Sequence, residues 1–599
     1  MIKVSSFISQ YLNVRYGVEV VFMVTGGGAM HLNDSFGRNR SIRCVFNHHE
    51  QACAIGAEGF ARATGKIGVV NVTTGPGGLN TFTGVMGQWT DSVPVLYLSG
   101  QVKMETTVRA CPDIPLRQLG DQEIDITRIV APLTKYATMV TDPKQIRYEL
   151  DRAVYEATSG RPGPVWLDIP MDVQGAMIEE EDLLGYNAPS RGVVSFDVDE
   201  LVNLITGAER PVIIAGHGIR ISGARERLQE LISRLRIPVV ATFNGYDILS
   251  SDNDFLIGRF GTLGDRAGNF AVQNADLVLA IGTRNNIRQV SYGYTTFARS
   301  ATKVVVDIDT AELKKPTVKP DIAIGLDAGE FIDILLSRFR TDNDQVQTWS
   351  KWLEWCTVRR SKYPVVLPEY RSSAKLNPYH FMEQLTDVLS PNHIVVAGNG
   401  TACVTLFQAG TVKDGQRIFW NSGCASMGYD LPAAIGAAVG MPGRPVVCLA
   451  GDGSLQMNIQ ELATLARSRF DIKLFVLNNN GYSSIRQTQM GFFGPPMIGC
   501  DPESGLGFPN YELLAAAYSL PYARLEKSNL DSGLRSVISS AGPVMCEVIL
   551  EWDYRFAPKL SSERRPDGRI ISKPLEDLSP LLDRDEFRQN MIVAPMEEE

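Results

Sequence analysis

The sequence predicts an α/β protein made of three doubly wound parallel-sheet domains, and three observations carry that expectation. Short apolar strands alternate with helical patterns along most of the 599 residues, which implies parallel sheets covered by helices on both faces. A chain of this length exceeds what one core supports and fits three or four domains. Polar or Pro-containing stretches near 175–195 and 340–378 divide it, so the domains are expected at 1–175, 196–340 and 378–555, with a polar tail over 556–599.

Composition narrows the function classes. Hydrophobic residues make up 44% and charged residues 21%, an ordinary globular balance, and the net charge of -9 argues against nucleic acid or an anionic membrane as a partner. No apolar run reaches transmembrane length, and the N-terminus lacks the layout of a signal peptide. Nine scattered cysteines without a CxxC pair fit a reduced, cytoplasmic protein better than a disulfide or zinc scaffold.

The first block opens with an amphipathic helix (Phe7, Ile8, Tyr11, Leu12), the strand Val20–Val24, Gly26-Gly27-Gly28 and a helix from Met30. Glu50 then heads a helix of small residues that continues through Ala61. A carboxylate buried there would be costly without a partner, whereas the ordinary alternative is a helix-start Glu facing the dipole. The strand Val69–Thr73 ends in Thr74-Gly75-Pro76-Gly77-Gly78-Leu79-Asn80, and Asp91-Ser92-Val93-Pro94 and Ser99-Gly100-Gln101 follow. Ser159-Gly160-Arg161-Pro162-Gly163-Pro164 reads as a turn into a last buried strand.

The second block carries the strands Val212–Ala215, Val239–Ala241, Leu277–Ile281 and Val304–Val306, each followed by a Gly, Asn or Asp turn. Gly216-His217-Gly218 is not a full G-x-G-x-x-G fingerprint, but the arrangement invites a dinucleotide along the carboxyl edge of the sheet.

In the third block a helix near Pro378–Leu389 and the strand Ile394–Ala397 lead to Gly398-Asn399-Gly400-Thr401, whose N–H groups and hydroxyl suit a phosphate. Trp420 to Gly436 follows, with Met427 in a small-residue helix start. The stretch Val446–Tyr482 then reads as strand, Gly451-Asp452-Gly453-Ser454 turn, helix, strand and Asn478-Asn479-Asn480-Gly481 turn. Parallel strands of a βαβ unit open on one sheet edge, so Asp452 and Asn479 are expected side by side. A carboxylate, an amide oxygen and a carbonyl near Gly481 are hard ligands suited to Mg²⁺ holding a diphosphate, with Gly453 and Ser454 at the same turn.

Taken together, HHEQ (48–51), EGFAR (58–62), TTGPGGLN (73–80), DSVPVL (91–96), SGQ (99–101) and GDG with NN closely resemble thiamine diphosphate (ThDP) enzymes of the acetolactate synthase (acetohydroxyacid synthase) family. The likeness covers about residues 1–555 and implies a pyrimidine-binding first domain, an FAD-binding-like middle domain and a diphosphate-binding third domain. It implies that Glu50 bonds N1′ of the aminopyrimidine and stabilises its imino tautomer, and that Met427 wedges between the two cofactor rings. Gly27, Gly28, Pro76, Asn80, Gly400, Thr401, Gly453 and Ser454 would surround ThDP, and Asp452, Asn479 and Gly481 would hold Mg²⁺. In the middle domain Gly216, Gly218, Thr242, Phe243, Gly261, Thr262, Leu263, Gly282, Arg284, Asp307, Ile308 and Asp327 would hold FAD, which such family members often carry without needing it to move electrons; several relatives have an empty middle domain or one that binds another nucleotide. Arg288 matches a residue that binds the substrate carboxylate, and Gln122 matches a channel glutamine.

The implied reaction is decarboxylation of pyruvate to hydroxyethyl-ThDP and transfer of the two-carbon unit to a second carbonyl. Two swaps touch the acceptor. The family's Met-Gln-Trp after NN reads Ser484-Ile485-Arg486-Gln487-Thr488 here, and its Pro-Lys-Asp reads Pro170-Met171-Asp172. The acceptor is thus expected to be a second keto acid, or else the keto group of a nucleotide-linked deoxysugar whose diphosphate meets Arg486 and the tail's Arg564-Arg565. A pyruvate oxidase-type flavoenzyme would share the same motifs. Family sites form between the first block of one subunit and the third block of another, which implies a homodimer or homotetramer.

Overall fold

The computed structural model describes every residue except 191, 193–194, 341–348, 565–567 and 597–599. It contains three six-stranded sheets whose neighbouring strands are all parallel. The first runs Arg43–Phe46, Val20–Met23, Gly68–Val72, Val95–Gln101, Pro164–Pro170, Tyr136–Met139. The third runs Arg417–Phe419, Ile394–Ala397, Val446–Gly451, Ile472–Asn478, Val544–Ile549, Tyr522–Leu525. Numbered within each domain, both follow the order 2-1-3-4-6-5.

The middle sheet runs Leu256–Arg259, Val239–Ala241, Pro211–Ala215, Leu277–Ile281, Thr302–Val306, Ile322–Ile324, the order 3-2-1-4-5-6. Its direction reverses between Pro211–Ala215 and Leu277–Ile281, where sheets of this order open a crevice for a dinucleotide. Two of these six strands were not expected. Leu256–Arg259 is interrupted by Gly258, and Ile322–Ile324 has only three residues, so neither edge strand carries a periodic signal.

The small residues after Glu50 serve packing. Helix Glu50–Thr64 lies on helix Asp430–Gly440, and a Cβ at Gly59 would collide with the Ala433 carbonyl, as one at Gly436 would with the Gly56 carbonyl. Near the end of that helix the buried Arg62 donates to Glu58 Oε1 (2.9 Å) and Asp91 Oδ2 (2.8 Å). Burial raises the Glu58 carboxyl to about 7. Arg417 donates to the Arg62 carbonyl (2.9 Å) and to Asp247 Oδ2 (2.7 Å), so one buried polar network joins all three domains.

The stretch 340–378 is more than a linker: helix Ser350–Lys362 docks on the middle domain, with Trp352 Nε1 donating to the Pro211 carbonyl (3.0 Å). The polar tail covers the middle domain. Residues 556–564 and 568–596 strap the middle domain through Leu560 N to Thr262 O (2.8 Å), Asn269 Nδ2 to Leu575 O (2.8 Å) and Ile592 N to Asn274 Oδ1 (2.6 Å). Leu575, Leu578 and Phe587 are buried there, an apolar spacing too sparse to read as an element. Arg565 and Glu597–Glu599 lie outside the described residues, as does the Arg564 side chain. Among the described residues no helix is long and apolar enough to cross a membrane.

Candidate active site

Strand Val446–Gly451 runs directly into the short helix Asp452–Leu455, and its neighbour Ile472–Asn478 runs into the Asn479-Asn480-Gly481 turn. The two ends meet as expected: Gly481 N donates to Asp452 Oδ2 (2.9 Å). Asn479 Nδ2 donates to Thr401 Oγ1 (3.0 Å), which leaves Asn479 Oδ1 buried without a partner. Burial raises the Asp452 carboxyl to about 6. An acid disfavoured in its charged form beside an unpartnered amide oxygen is a donor set that a divalent cation would satisfy. No cluster of three or more His, Cys, Asp or Glu side chains suited to a metal exists among the described residues, so a cation here depends on amide and main-chain oxygens. Glycine is required at both turns. A Cβ at Gly453 would strike the Tyr482 ring, and one at Gly481 (φ 137) would strike the Cys500 carbonyl.

Two expected cofactor hydroxyls are already engaged. Thr401 Oγ1 lies 2.5 Å from the Tyr554 hydroxyl and accepts from Asn479 Nδ2. Beside it is the opening of helix Thr401–Ala409 after Gly400 (φ 62), with the unpaired N–H groups of any helix start. Ser454 Oγ donates to Asp430 Oδ2 (2.5 Å) and accepts from Gly428 N (2.9 Å), which makes it a strut for the Met427 turn. That turn is held from three sides. Asn421 Oδ1 accepts from Cys424 N and Ala425 N, Asn399 Nδ2 donates to Ala425 O, and Asp91 accepts from Ser422 N and Gly423 N. Met427 itself is half-buried at its end.

At the carboxyl edge of the first sheet, Glu50 opens its helix and is half-buried rather than fully enclosed. Its Oε2 accepts from Asn80 Nδ2 (2.9 Å), and its Oε1 lies toward Gly77. Gly28 N donates to Thr73 Oγ1, and a Cβ at Gly28 would collide with Thr74, whereas Gly27 faces open space. Gln122, in a left-handed conformation (φ 58), is exposed and sets its carbonyl against Gly75, next to Pro76. Gln174, not singled out from the sequence, braces this edge by donating to the Gly28 carbonyl (2.8 Å). Gln51 Oε1 accepts from Asn458 Nδ2 (3.1 Å), which also donates to Gly428 O (2.7 Å), and so links the two edges within one chain.

The third group forms a pocket of about 1080 Å³, counted to its open mouth, at the reversal point of the middle sheet. Gly218, Thr242, Phe243, Gly261, Thr262, Leu263, Gly282, Arg284, Asp307, Ile308 and Asp327 line it. Gly216 does not; it packs on Gly282 behind the wall, where a Cβ would meet the Gly282 carbonyl. Arg288 lies in this pocket, its guanidinium 4.7 Å from the Phe243 ring centre. His217 Nδ1 and Asn244 Oδ1 are buried here without partners, and burial holds His217 well below the usual imidazole range. The Gly160-Arg161-Pro162 turn also lines the pocket, beyond its plain structural reading. Arg161 reaches Asp309 Oδ2 (3.1 Å) and Glu312 Oε1 (2.8 Å) from the first domain, a pairing invisible in local sequence.

Three family models cover most of the chain: "Thiamine pyrophosphate enzyme, N-terminal TPP binding domain" at residues 2–129, its central domain at 198–335 and its C-terminal TPP binding domain at 398–548. The acetolactate synthase large subunit of Lactococcus lactis subsp. lactis (strain IL1403) is 31% identical over 563 residues, 92% of this chain and 94% of that protein. The chain belongs to the acetolactate synthase family of thiamine pyrophosphate enzymes. Membership makes it a ThDP-dependent carboligase. The Porphyra purpurea acetolactate synthase large subunit (31% identical, 89% of this chain and 90% of that one) and acetolactate synthase 2, chloroplastic, of Nicotiana tabacum (30%, 92% and 82%) agree.

Against the family pattern, the acceptor side departs in two ways. Thr488, in the stretch that stands where the family has Met-Gln-Trp, is exposed and bonds back to the Ser484 carbonyl (3.0 Å). Arg486, expected in one reading to meet a substrate diphosphate, is 8% exposed and donates to the main-chain carbonyls of Trp552 (3.0 Å) and Asn480 (2.9 Å). It is not free for that role.

Proposed function

We propose that the protein decarboxylates pyruvate and transfers the two-carbon unit to a second carbonyl, with a second 2-keto acid as first acceptor, using ThDP, Mg²⁺ and FAD. The observation that carries this reading is the meeting of Asp452 with the unpartnered Asn479 Oδ1 at the edge of the third sheet, matched by the Asn80-oriented Glu50 at the edge of the first. Bound ThDP supplies the nucleophilic carbon and the electron sink for decarboxylation. Glu50 holds a proton at N1′ of the pyrimidine, and its bond to Asn80 leaves Oε1 free for that contact. Asp452, Asn479 Oδ1 and the Gly481 carbonyl would hold Mg²⁺, and the braced turn would set Met427 against the cofactor.

FAD is supported by the 3-2-1-4-5-6 order, the glycine-lined pocket and the partnerless His217 and Asn244 atoms. Leu79, Met86 and Trp89 are exposed close to Asn80, and a second copy of the chain would cover them in a homodimer or homotetramer. The small, exposed Thr488 leaves room for a bulkier ketone, so acetyl transfer to a nucleotide-linked deoxysugar is the second reading, without Arg486 as its anchor.

Mass spectrometry of products from pyruvate alone, with ThDP, Mg²⁺ and FAD, tests the reading. Fast acetolactate formation supports it, and slow acetaldehyde or acetoin means a different acceptor. Flavin bleaching with acetate release would replace it with an oxidase reaction.

The metal reading carries its own pH dependence. The Asp452 carboxyl stands at about 6 in the metal-free chain, above its ordinary 3.8, so its contribution to stability is full below 3.8 and lost as pH rises through about 6. A cation needs the ionised acid, so Mg²⁺ affinity moves the other way. It should fall about tenfold per pH unit below 6 and level off above it, as read from Mg²⁺ titrations of ThDP binding between about pH 5 and 8.

A further inference from the structure

The turn that would hold Mg²⁺ is strained. Asn480 sits in the left-handed region (φ 59) and Gly481 at φ 137, so the backbone there needs holding. Asn480 N donates to Asn478 Oδ1 (3.1 Å), whose amide donates to Glu547 Oε1 (2.6 Å), and Tyr482 N donates to the Cys500 carbonyl (2.8 Å). Gly481 N donates to Asp452 Oδ2 (2.9 Å), its carbonyl accepts from Ser483 N (3.0 Å), and a further restraint is Arg486. It lies in the first turn of helix Ser483–Phe492, where side chains lean toward the helix start, and its guanidinium runs back under the turn. One amino group donates to the Asn480 carbonyl (2.9 Å) and the other to the Trp552 carbonyl (3.0 Å), while Nε faces Asp501 Oδ2 at 3.4 Å. Asp501 is itself fixed, its other oxygen accepting from Ser504 N and Oγ.

We propose that Arg486 is a positioning residue that holds the Asn479-Asn480-Gly481 turn in its cation-binding shape and locks it to the Cys500–Ser504 segment and the chain at Trp552. This rests on the reading that the turn takes Mg²⁺. The rigid fork of an arginine reaches two divergent carbonyls at once, which an ammonium on a flexible stem does not. As a bare charge near the cation, Arg486 would instead repel it, so the two possible roles have opposite signs.

Mn²⁺ is the probe, with free ion read by electron paramagnetic resonance in the full-length chain plus ThDP. Arg486→Lys and Arg486→Gln should each weaken Mn²⁺ binding about 10–100-fold. Flavin binding should stay at the wild-type value, and saturating Mn²⁺ should restore ThDP binding. Asp501→Asn, which removes only the facing charge, should cost a few-fold. Unchanged or tighter Mn²⁺ binding in both Arg486 variants overturns the proposal, as does weakening matched by an equal loss of flavin binding. A wild-type chain that takes up ThDP but no Mn²⁺ brings down the metal reading itself, and this one with it.

Discussion

Glu50→Gln is expected to leave ThDP bound while slowing pyruvate decarboxylation by about 10²–10⁴-fold. The amide keeps the size of the carboxyl and can still meet Asn80, whose amide now bonds Glu50 Oε2 at 2.9 Å, so the helix start and its His49 cap survive. It cannot take or return a proton at the pyrimidine. Calorimetry of ThDP binding and single-turnover decarboxylation separate the two effects. Wild-type turnover in this variant would sink the assigned role, and loss of ThDP binding would make Glu50 a binding residue instead.

The second large effect concerns the fold. Arg62→Met removes the cation between Glu58 and Asp91 and leaves Glu58 buried without its charge partner, a change that costs about 3–5 kcal/mol where it has been measured. Glu58 stands at about 7, raised by burial from 4.5, so it favours the fold fully below 4.5 and loses that contribution as pH rises through about 7. Without Arg62 that titration moves further up. The penalty of the variant should therefore be larger at pH 8 than at pH 5, as measured from urea midpoints. Equal penalties at both values would mean that Asp91, not Glu58, carries the cost.

Much of the fold and of the geometry at its sheet edges was legible because it rests on short-range spacing. The ends of strands Val446–Gly451 and Ile472–Asn478 had to meet once both were read as parallel, and the Gly481–Asp452 bond follows from that alone. The middle pocket was legible turn by turn for the same reason. What escaped the sequence is contact between distant segments. The Thr401 hydroxyl meets that of Tyr554, the Arg161 turn becomes a pocket wall only when Asp309 and Glu312 fold against it, and Arg486 looks like a solvated loop residue until Trp552 and Asp501 close over it. Short edge strands failed for another reason, since three or four residues hold no period.

The joint between helices Glu50–Thr64 and Asp430–Gly440 also shapes how the protein is made. Almost every residue of both helices is buried, and each helix supplies the cover for the other. Ribosomal synthesis delivers them roughly 370 residues apart, a wait of about 20–70 s at 5–20 residues per second. During that interval the first domain stands with a small, flat, greasy stripe uncovered. Until its partner helix arrives, that stripe is apolar surface open to other contacts.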